Sequence, residues 1–322
     1  MKLKKILTGA IILLTLTTSI FAKSKLKVVT TIFPEYDWAR EIIGNTKSAD
    51  LTLLVGNGVD LHSYQPSIQD IAKISTADIF IYVGGESDAW VDNALKNATN
   101  KNMTVINLME VLGDKVKVEE LKEGMQESEH EHDHEDEDHD EEETEFDEHV
   151  WLSVKNAKIL CAQIANVLCE KDSANASKYR TNLATYTAKL DALDSKFAAT
   201  VKNGSQKTIL VCDRFPFRYF VEDYGLDYFA AFVGCSAETE ASFETVIFLA
   251  NKVDELGLNT VLKIESGDGK IARTVIQSSK AKTASVLTLD SMQSVTAKQA
   301  AKGTTYLNIM ESNLKILEQA LK

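Results

Sequence analysis

Short apolar runs and amphipathic segments alternate along most of the chain, in two successive series. Runs rich in β-branched residues predict strands, whereas apolar residues spaced three or four apart predict helices. The first series predicts strands at 26–33, 51–55, 79–83 and 103–108, and helices at 35–43, 66–75 and 90–98. The second predicts strands at 208–212, 226–232, 260–264 and 285–289, and helices at 217–224, 242–256, 269–279 and 306–321. Strands that alternate with helices favour parallel sheets covered on both faces.

A long uninterrupted segment separates the two series. Residues 174–201 contain neither Gly nor Pro and keep apolar side chains on one helical face, which predicts a single helix. We therefore predict an α/β protein of two lobes, each a four-stranded mostly parallel sheet flanked by helices, joined by one long helix. The expected divisions are a signal peptide at 1–22, an N-terminal lobe at 23–172, a linking helix at 173–203 and a C-terminal lobe at 204–322.

The first 22 residues have the pattern of an export signal. Three lysines near the start precede a predominantly apolar run, and Ala22 is a small residue at the expected cleavage point. No later segment reaches the roughly 18 consecutive apolar residues of a membrane-spanning helix. The first cysteine is Cys161, so the segment after the leader has no cysteine for a lipid anchor. We expect an exported, periplasmic protein without a lipid anchor.

The acidity of the chain is concentrated in one segment. The chain has 322 residues, of which 44% are hydrophobic, and a net charge of −13, yet 15 of its 48 acidic residues lie between Glu127 and Glu148. Elsewhere acidic and basic residues nearly balance, so no positive excess is left to neutralise nucleic-acid phosphates. Residues 126–148 also contain four of the six histidines. We expect this insert to be disordered and to capture metal weakly, because imidazoles among carboxylates suit zinc.

The four cysteines fall into two pairs. Cys161 and Cys169 share a predicted helix and are about 12 Å apart along it, too far for a disulfide, which favours a packing role. Cys212 is the last residue of a predicted strand and Cys235 lies shortly after another, so they could form a disulfide or remain free.

The two histidines outside the insert both occur at predicted strand or loop ends of the first lobe. His62 follows the second strand in the sequence LHSYQP, and His149 precedes a helix in EHVWL, where Ser153 is the expected cap. Open parallel sheets bind ligands at the carboxyl ends of their strands. His62 and His149 are therefore candidate metal ligands.

These phrases, in this order, give the chain a family resemblance. The chain contains, in this order, LHSYQP at 61–66, the His-rich acidic insert, EHVWL at 148–152, FRYFVEDYGL at 217–226 and LTLD at 287–290. With these motifs it resembles the solute-binding proteins of zinc and manganese ABC importers that have a rigid inter-lobe helix. The resemblance implies a divalent cation in the cleft between the lobes, held by two ligands from each lobe. It places His62 and His149 as the first pair and Asp290 as the last carboxylate.

The chain departs from this family at the third ligand. The family has His or Glu at the position of Arg214, and a guanidinium has no lone pair to offer a metal. Asp213 is the favoured replacement, with Cys212 and Glu265 as alternatives. Glu265 could instead orient a histidine, and Glu240 could neutralise Arg214.

The predicted function is therefore metal capture for transport. We expect a monomeric, non-enzymatic binding protein that delivers Zn²⁺, or alternatively Mn²⁺, to an ABC permease in the inner membrane. Four protein ligands would leave no open position for a catalytic water. The alternatives from other classes are a secreted zinc hydrolase, for which no HExxH pair is present, and an adhesin stabilised by its metal.

Overall fold

The computed structural model describes residues 24–126, 145–236 and 240–322. The whole predicted signal peptide and most of the predicted insert lie outside these residues. No helix within the described ranges is long and apolar enough to cross a bilayer.

The N-terminal lobe is built on one sheet with helices on both sides. Its elements are β1 (Leu26–Thr30), α1 (Phe33–Ile43), β2 (Ala49–Leu53), α2 (Ile68–Ser75), β3 (Ile79–Tyr82), α3 (Val91–Lys96), β4 (Thr104–Asn107), α4 (Leu108–Leu112) and α5 (Val154–Lys171). The strand order is β2-β1-β3-β4, and every pairing is parallel. All residues of β3 are buried, as expected for a central strand covered on both faces.

The C-terminal lobe repeats this plan. After the linking helix α6 (Ala176–Asn203), its elements are β5 (Thr208–Phe215), α7 (Arg218–Tyr224), β6 (Asp227–Val233), α8 (Phe243–Leu256), β7 (Thr260–Ile264), α9 (Lys270–Ser278), β8 (Ser285–Leu289), α10 (Ala297–Ala301) and α11 (Tyr306–Ala320). The order β6-β5-β7-β8 is again wholly parallel. The predicted fold class of two four-stranded lobes joined by one helix is confirmed.

Helix α6 ties the lobes into one core. Its 28 residues pack on α1 and α5 of the first lobe and on α7 and α11 of the second. Near its C-terminal end the fully buried Phe197 ring lies 5.0 Å from the Phe220 ring and 5.4 Å from the Tyr224 ring, measured between centroids. The apolar core consequently runs from one lobe to the other.

Several predicted strand boundaries were wrong. β5 continues past Cys212 to Phe215, with a register shift between Val211 and Arg214. The polar Asp213 and Arg214 interrupt the apolar run without ending the strand, because the shifted pairing with β6 continues beyond them. The predicted strand 103–108 ends at Asn107, whose side chain caps α4, and neither α4 nor α10 was predicted.

Residues 116–126, here called the arm, leave the first lobe and contact the second. Gln126 forms a parallel bridge with Phe232 at the edge of β6. The Lys117 backbone N–H donates to the Tyr219 hydroxyl over 3.0 Å, and Lys122 pairs with Asp227. The arm therefore adds backbone and side-chain contacts between the lobes beside the cleft.

Candidate metal centre

The loop that follows β2 holds His62 in a tight turn. The turn Leu61–Ser63 is a single 3₁₀ turn capped by Asp60, whose Oδ1 accepts from the His62 N–H over 3.1 Å. The imidazole is only 10% exposed, and its Nδ1 lies 2.7 Å from the Ser87 hydroxyl. The Nδ1 contact leaves Nε2 as the nitrogen that faces the cleft.

His149 is fully buried and is fixed by its own neighbour. Asp147 Oδ1 accepts from the His149 backbone N–H over 2.8 Å and lies 2.9 Å from the imidazole Nδ1. The buried turn Val150–Leu152 follows, and Ser153 caps α5 by accepting from the Asn156 N–H, as predicted. A carboxylate on Nδ1 is the arrangement that orients a histidine to bind metal through Nε2.

The two imidazoles face each other through these free nitrogens. His62 Nε2 and His149 Nε2 are 3.1 Å apart. Two nitrogens bound to one tetrahedral zinc at 2.0–2.1 Å would be separated by about 3.3 Å. The observed spacing therefore matches two ligands of a single ion.

The electrostatics differ at the two histidines. Burial and the neighbouring His149 lower the pKa of His62 to about 3, so this imidazole is neutral at physiological pH. Burial is the largest influence on His149 and acts to lower its pKa, but Asp147, Glu148 and Glu119 together outweigh it and the net pKa is raised. At least one imidazole of the pair thus has a free lone pair near pH 7, and a cation would take the place of the proton between them.

Cys235 is the third potential ligand that the structure brings to this pair. One ligand atom each from His62, His149 and Cys235 lie within 4.8 Å of one another. Burial raises the pKa of the Cys235 thiol, and Glu119 adds to this, so the sulfur carries a proton when no cation is bound.

The sequence interpretation considered Cys235 only for a disulfide with Cys212. All four cysteines are free in the structure. Cys212 is buried within β5 and lines the cleft between the lobes, whereas Cys235 follows β6 and lies near His62 and His149. The sequence signal that could have identified Cys235 as a candidate ligand is its position just after a strand end. The same argument selected His62.

The structure does not place Asp213 or Asp290 in the group formed by the two histidines and Cys235. Asp213 Oδ1 accepts from the Arg214 N–H over 3.0 Å, and its other oxygen lies against Gly267, where no side chain would fit. Asp290 Oδ1 accepts from the Met292 N–H over 2.8 Å. Burial and Glu265 raise the pKa of Asp290 to about 7. Their roles as ligands stay predictions.

Arg214 does not pair with Glu240, so that expectation was wrong. Its Nη2 donates to Asp60 Oδ2 over 2.5 Å, joining the second lobe to the turn that carries His62. Glu240 instead pairs with Lys270 at an exposed position. Asp60 is available because it caps the turn that carries His62, within reach of the Arg214 side chain.

Glu265 organises a loop rather than orienting a histidine. Its carboxylate accepts from the Ser291 and Gln293 backbone N–H groups over 2.7 and 3.2 Å, and from the Ser291 and Ser294 hydroxyls. This loop presents the Gln293 amide to the site. With its oxygen turned toward His149 Nε2, the separation is 2.6 Å, and the amide nitrogen then donates to Asp60.

A cleft of about 540 Å³ lies beside these groups, between the lobes. Its walls include Asp60 and His62 from the first lobe and Cys212, Asp213 and Arg214 from the second. His62 therefore lines a solvent-accessible cleft at the junction of the two lobes, and the buried His149 lies against it, which is where the resemblance implied a cation.

Comparison with known proteins identifies the family. The family described as ZnuA, zinc-uptake complex component A, periplasmic, matches residues 28–320. The chain belongs to this family. The resemblance to solute-binding proteins of zinc ABC importers is confirmed.

Individual relatives agree with this assignment. Zinc-binding protein AdcA of Streptococcus pyogenes serotype M6 is 29% identical over 316 residues, which cover 94% of this chain and 58% of that protein. High-affinity zinc uptake system protein ZnuA of Bacillus subtilis is 31% identical, covering 92% of this chain and 88% of that protein. The Zn(II)-bound ZnuA-like domain of Streptococcus pneumoniae AdcA superposes with a TM-score of 0.71 at 28% identity, covering 92% of this chain and 99% of that structure. The chain spans less than two thirds of the S. pyogenes relative.

Proposed function

We propose that this protein is the extracytoplasmic solute-binding component of an ABC importer, and that it captures zinc between its lobes and delivers it to a permease. The observation that carries the proposal is the facing pair of Nε2 atoms, 3.1 Å apart, each imidazole held through its other nitrogen. Such pre-oriented imidazoles suit zinc. His62 and His149 are the first two ligands and Asp290 is an acidic ligand, while the sequence favours Asp213 for the third position.

Zinc is favoured over manganese on two grounds. Neutral imidazole suits zinc better than the harder manganese ion, which prefers carboxylate and water. Two relatives at about 30% identity carry zinc in their names. The alternatives of a zinc hydrolase and a metal-stabilised adhesin lack a comparable observation.

The location and assembly of the protein follow from the proposed role. A zinc carrier must meet its permease outside the cytoplasm, so we propose a periplasmic monomer that binds no nucleic acid and catalyses no reaction. A relative in Streptococcus pneumoniae is named as a zinc-binding lipoprotein. Absence of a lipid anchor in this protein therefore stays a prediction.

Competitive metal titration tests the proposed site. Chelator-stripped protein is titrated with zinc and with manganese against an indicator of known affinity. We expect tight zinc binding, and we expect His62→Ala and His149→Ala each to weaken it by at least about 100-fold, because losing even an outer partner of a ligand costs roughly 10- to 100-fold. Exposed Lys189→Ala is the control. Parent-like zinc affinity in both histidine variants would show that the site is elsewhere.

Deletion of the acidic insert tests a separate prediction. Deletion of residues 127–144 removes four histidines but retains Asp147, which holds His149. We expect the tight site to persist and only weak additional zinc ions to be lost, measured by calorimetry. Loss of the tight site in this deletion would assign that site to the insert.

A further inference from the structure

We propose that the Cys235 thiolate is the third protein ligand of the ion held by His62 and His149. This inference rests on the proposed function and deepens it, since it names a ligand and thereby a metal class. The metal site in the cleft would then combine imidazole and thiolate ligands and would select for soft divalent metals.

The first support is proximity. Within the part of the chain that the structure describes, these three residues form the one group of three or more His, Cys, Asp or Glu residues whose ligand atoms all lie within 4.8 Å. A tetrahedral zinc with nitrogen at 2.0–2.1 Å and sulfur at 2.3 Å needs nitrogen–sulfur separations of about 3.6 Å. A shift of roughly 1 Å at the sulfur is enough to complete the triangle.

The second support is the way the backbone holds Cys235. Its N–H donates to Glu119 Oε1 over 3.0 Å, which fixes the residue from the arm. The preceding Gly234 has no side chain, and a Cβ there would lie 3.1 Å from His149 Cε1 and 3.0 Å from Glu119 Oε1. The absence of a side chain at Gly234 therefore helps the loop to approach the buried histidine closely.

Arg214 supports the same loop from the other side. Its Nη1 donates to the Ser236 carbonyl over 3.4 Å while its Nη2 pairs with Asp60. A guanidinium cannot bind a metal, but here it connects the Cys235 loop to the His62 turn. The two elements that carry these ligands are thus joined independently of the ion.

Alternative third ligands are less well placed. Asp213 directs one oxygen to the Arg214 N–H and the other toward Gly267. Cys212 is buried within β5. Neither belongs to the group around His62 and His149.

Binding of the ion releases one proton from the Cys235 thiol. As the ion enters, the Cys235 S–H bond breaks, its proton passes to solvent, and the sulfur electron pair forms the bond to the metal. Thiolate prefers zinc, cobalt and cadmium to manganese. The centre should consequently discriminate against manganese through sulfur, beyond what two imidazoles achieve.

Cobalt(II) provides a direct probe, because a cobalt–thiolate bond gives an intense charge-transfer absorption in the near ultraviolet. The full chain, stripped of metal, is titrated with cobalt(II) chloride. We expect this absorption in the parent and in Cys169→Ser, a matched control on α5. We expect it to disappear in Cys235→Ser, with zinc affinity reduced at least tenfold and manganese affinity changed less than threefold.

Two outcomes would overturn the inference. One is a cobalt complex of the parent that lacks the thiolate absorption although its formation depends on His62. The other is an unchanged absorption in Cys235→Ser. Either result leaves the proposed transport site standing, whereas cobalt and zinc binding that is indifferent to His62→Ala contradicts the proposed function itself. Circular dichroism of Cys235→Ser without metal verifies that the variant is folded.

Discussion

At the scale of single residues, the groups that orient each proposed ligand matter to the site as much as the ligands themselves. His62 is set by Ser87 and Asp60, and His149 by Asp147. Each imidazole thereby keeps Nε2 directed at its partner. Orientation before binding lowers the entropic cost of capturing an ion.

Asp147 gives the sharpest test of this arrangement. Asp147→Asn removes the charge beside His149 Nδ1 while keeping a similar shape, so His149 becomes a weaker and less well-oriented ligand. We expect zinc affinity to fall by about 10- to 100-fold. Competition against a chelator measures the change, and exposed Asp92→Asn is the matched control. Equal affinities for both variants would mean that Asp147 does not support the ligand.

At the scale of elements, strand ends and helix caps determine where the proposed ligands lie. The turn after β2 presents His62, the turn before α5 presents His149, and the loop after β6 presents Cys235. Helix α6 maintains the relation between the lobes through a buried face that includes Tyr186, Leu190 and Phe197.

Phe197→Ala tests the contribution of this buried face. Phe197 is fully buried against aromatic rings of α7, so truncation leaves a cavity that the surrounding helices cannot fill. We expect the free energy of unfolding to fall by about 3–5 kcal/mol, measured by urea denaturation. The adjacent exposed Lys196→Ala should change it by less than about 0.5 kcal/mol. A small effect at Phe197 would mean that α6 contributes little to the shared core.

The local sequence pattern predicts the helices and strands far better than it predicts the candidate metal site. Apolar runs such as β3 and β7, and the uninterrupted α6, were identified because burial on both faces or on one stripe leaves a periodic signal. Continuation of β5 through Asp213 and Arg214 was missed, since polar residues at a cleft interrupt that signal. Convergence of His62 with Cys235 depends on how the lobes face each other, which no local periodicity encodes.

At the scale of the whole molecule, the cleft is bounded by contacts that cross between the lobes. The Asp60–Arg214 pair lies at its wall, with side chains only 16% and 14% exposed, and the arm reaches the edge of β6. The carrier role proposed above requires the protein to bind its ion tightly and still release it. The shared core at α6 favours release through local rearrangement of the ligand loops over wide separation of the lobes.

Anomalous diffraction at the zinc absorption edge, from crystals of the zinc-loaded protein, tests the central claim most directly. The account predicts one strong peak between the lobes, about 2.0–2.1 Å from both His62 Nε2 and His149 Nε2. A fully occupied peak bound by other residues, with these two nitrogens beyond bonding distance of it, would contradict the account.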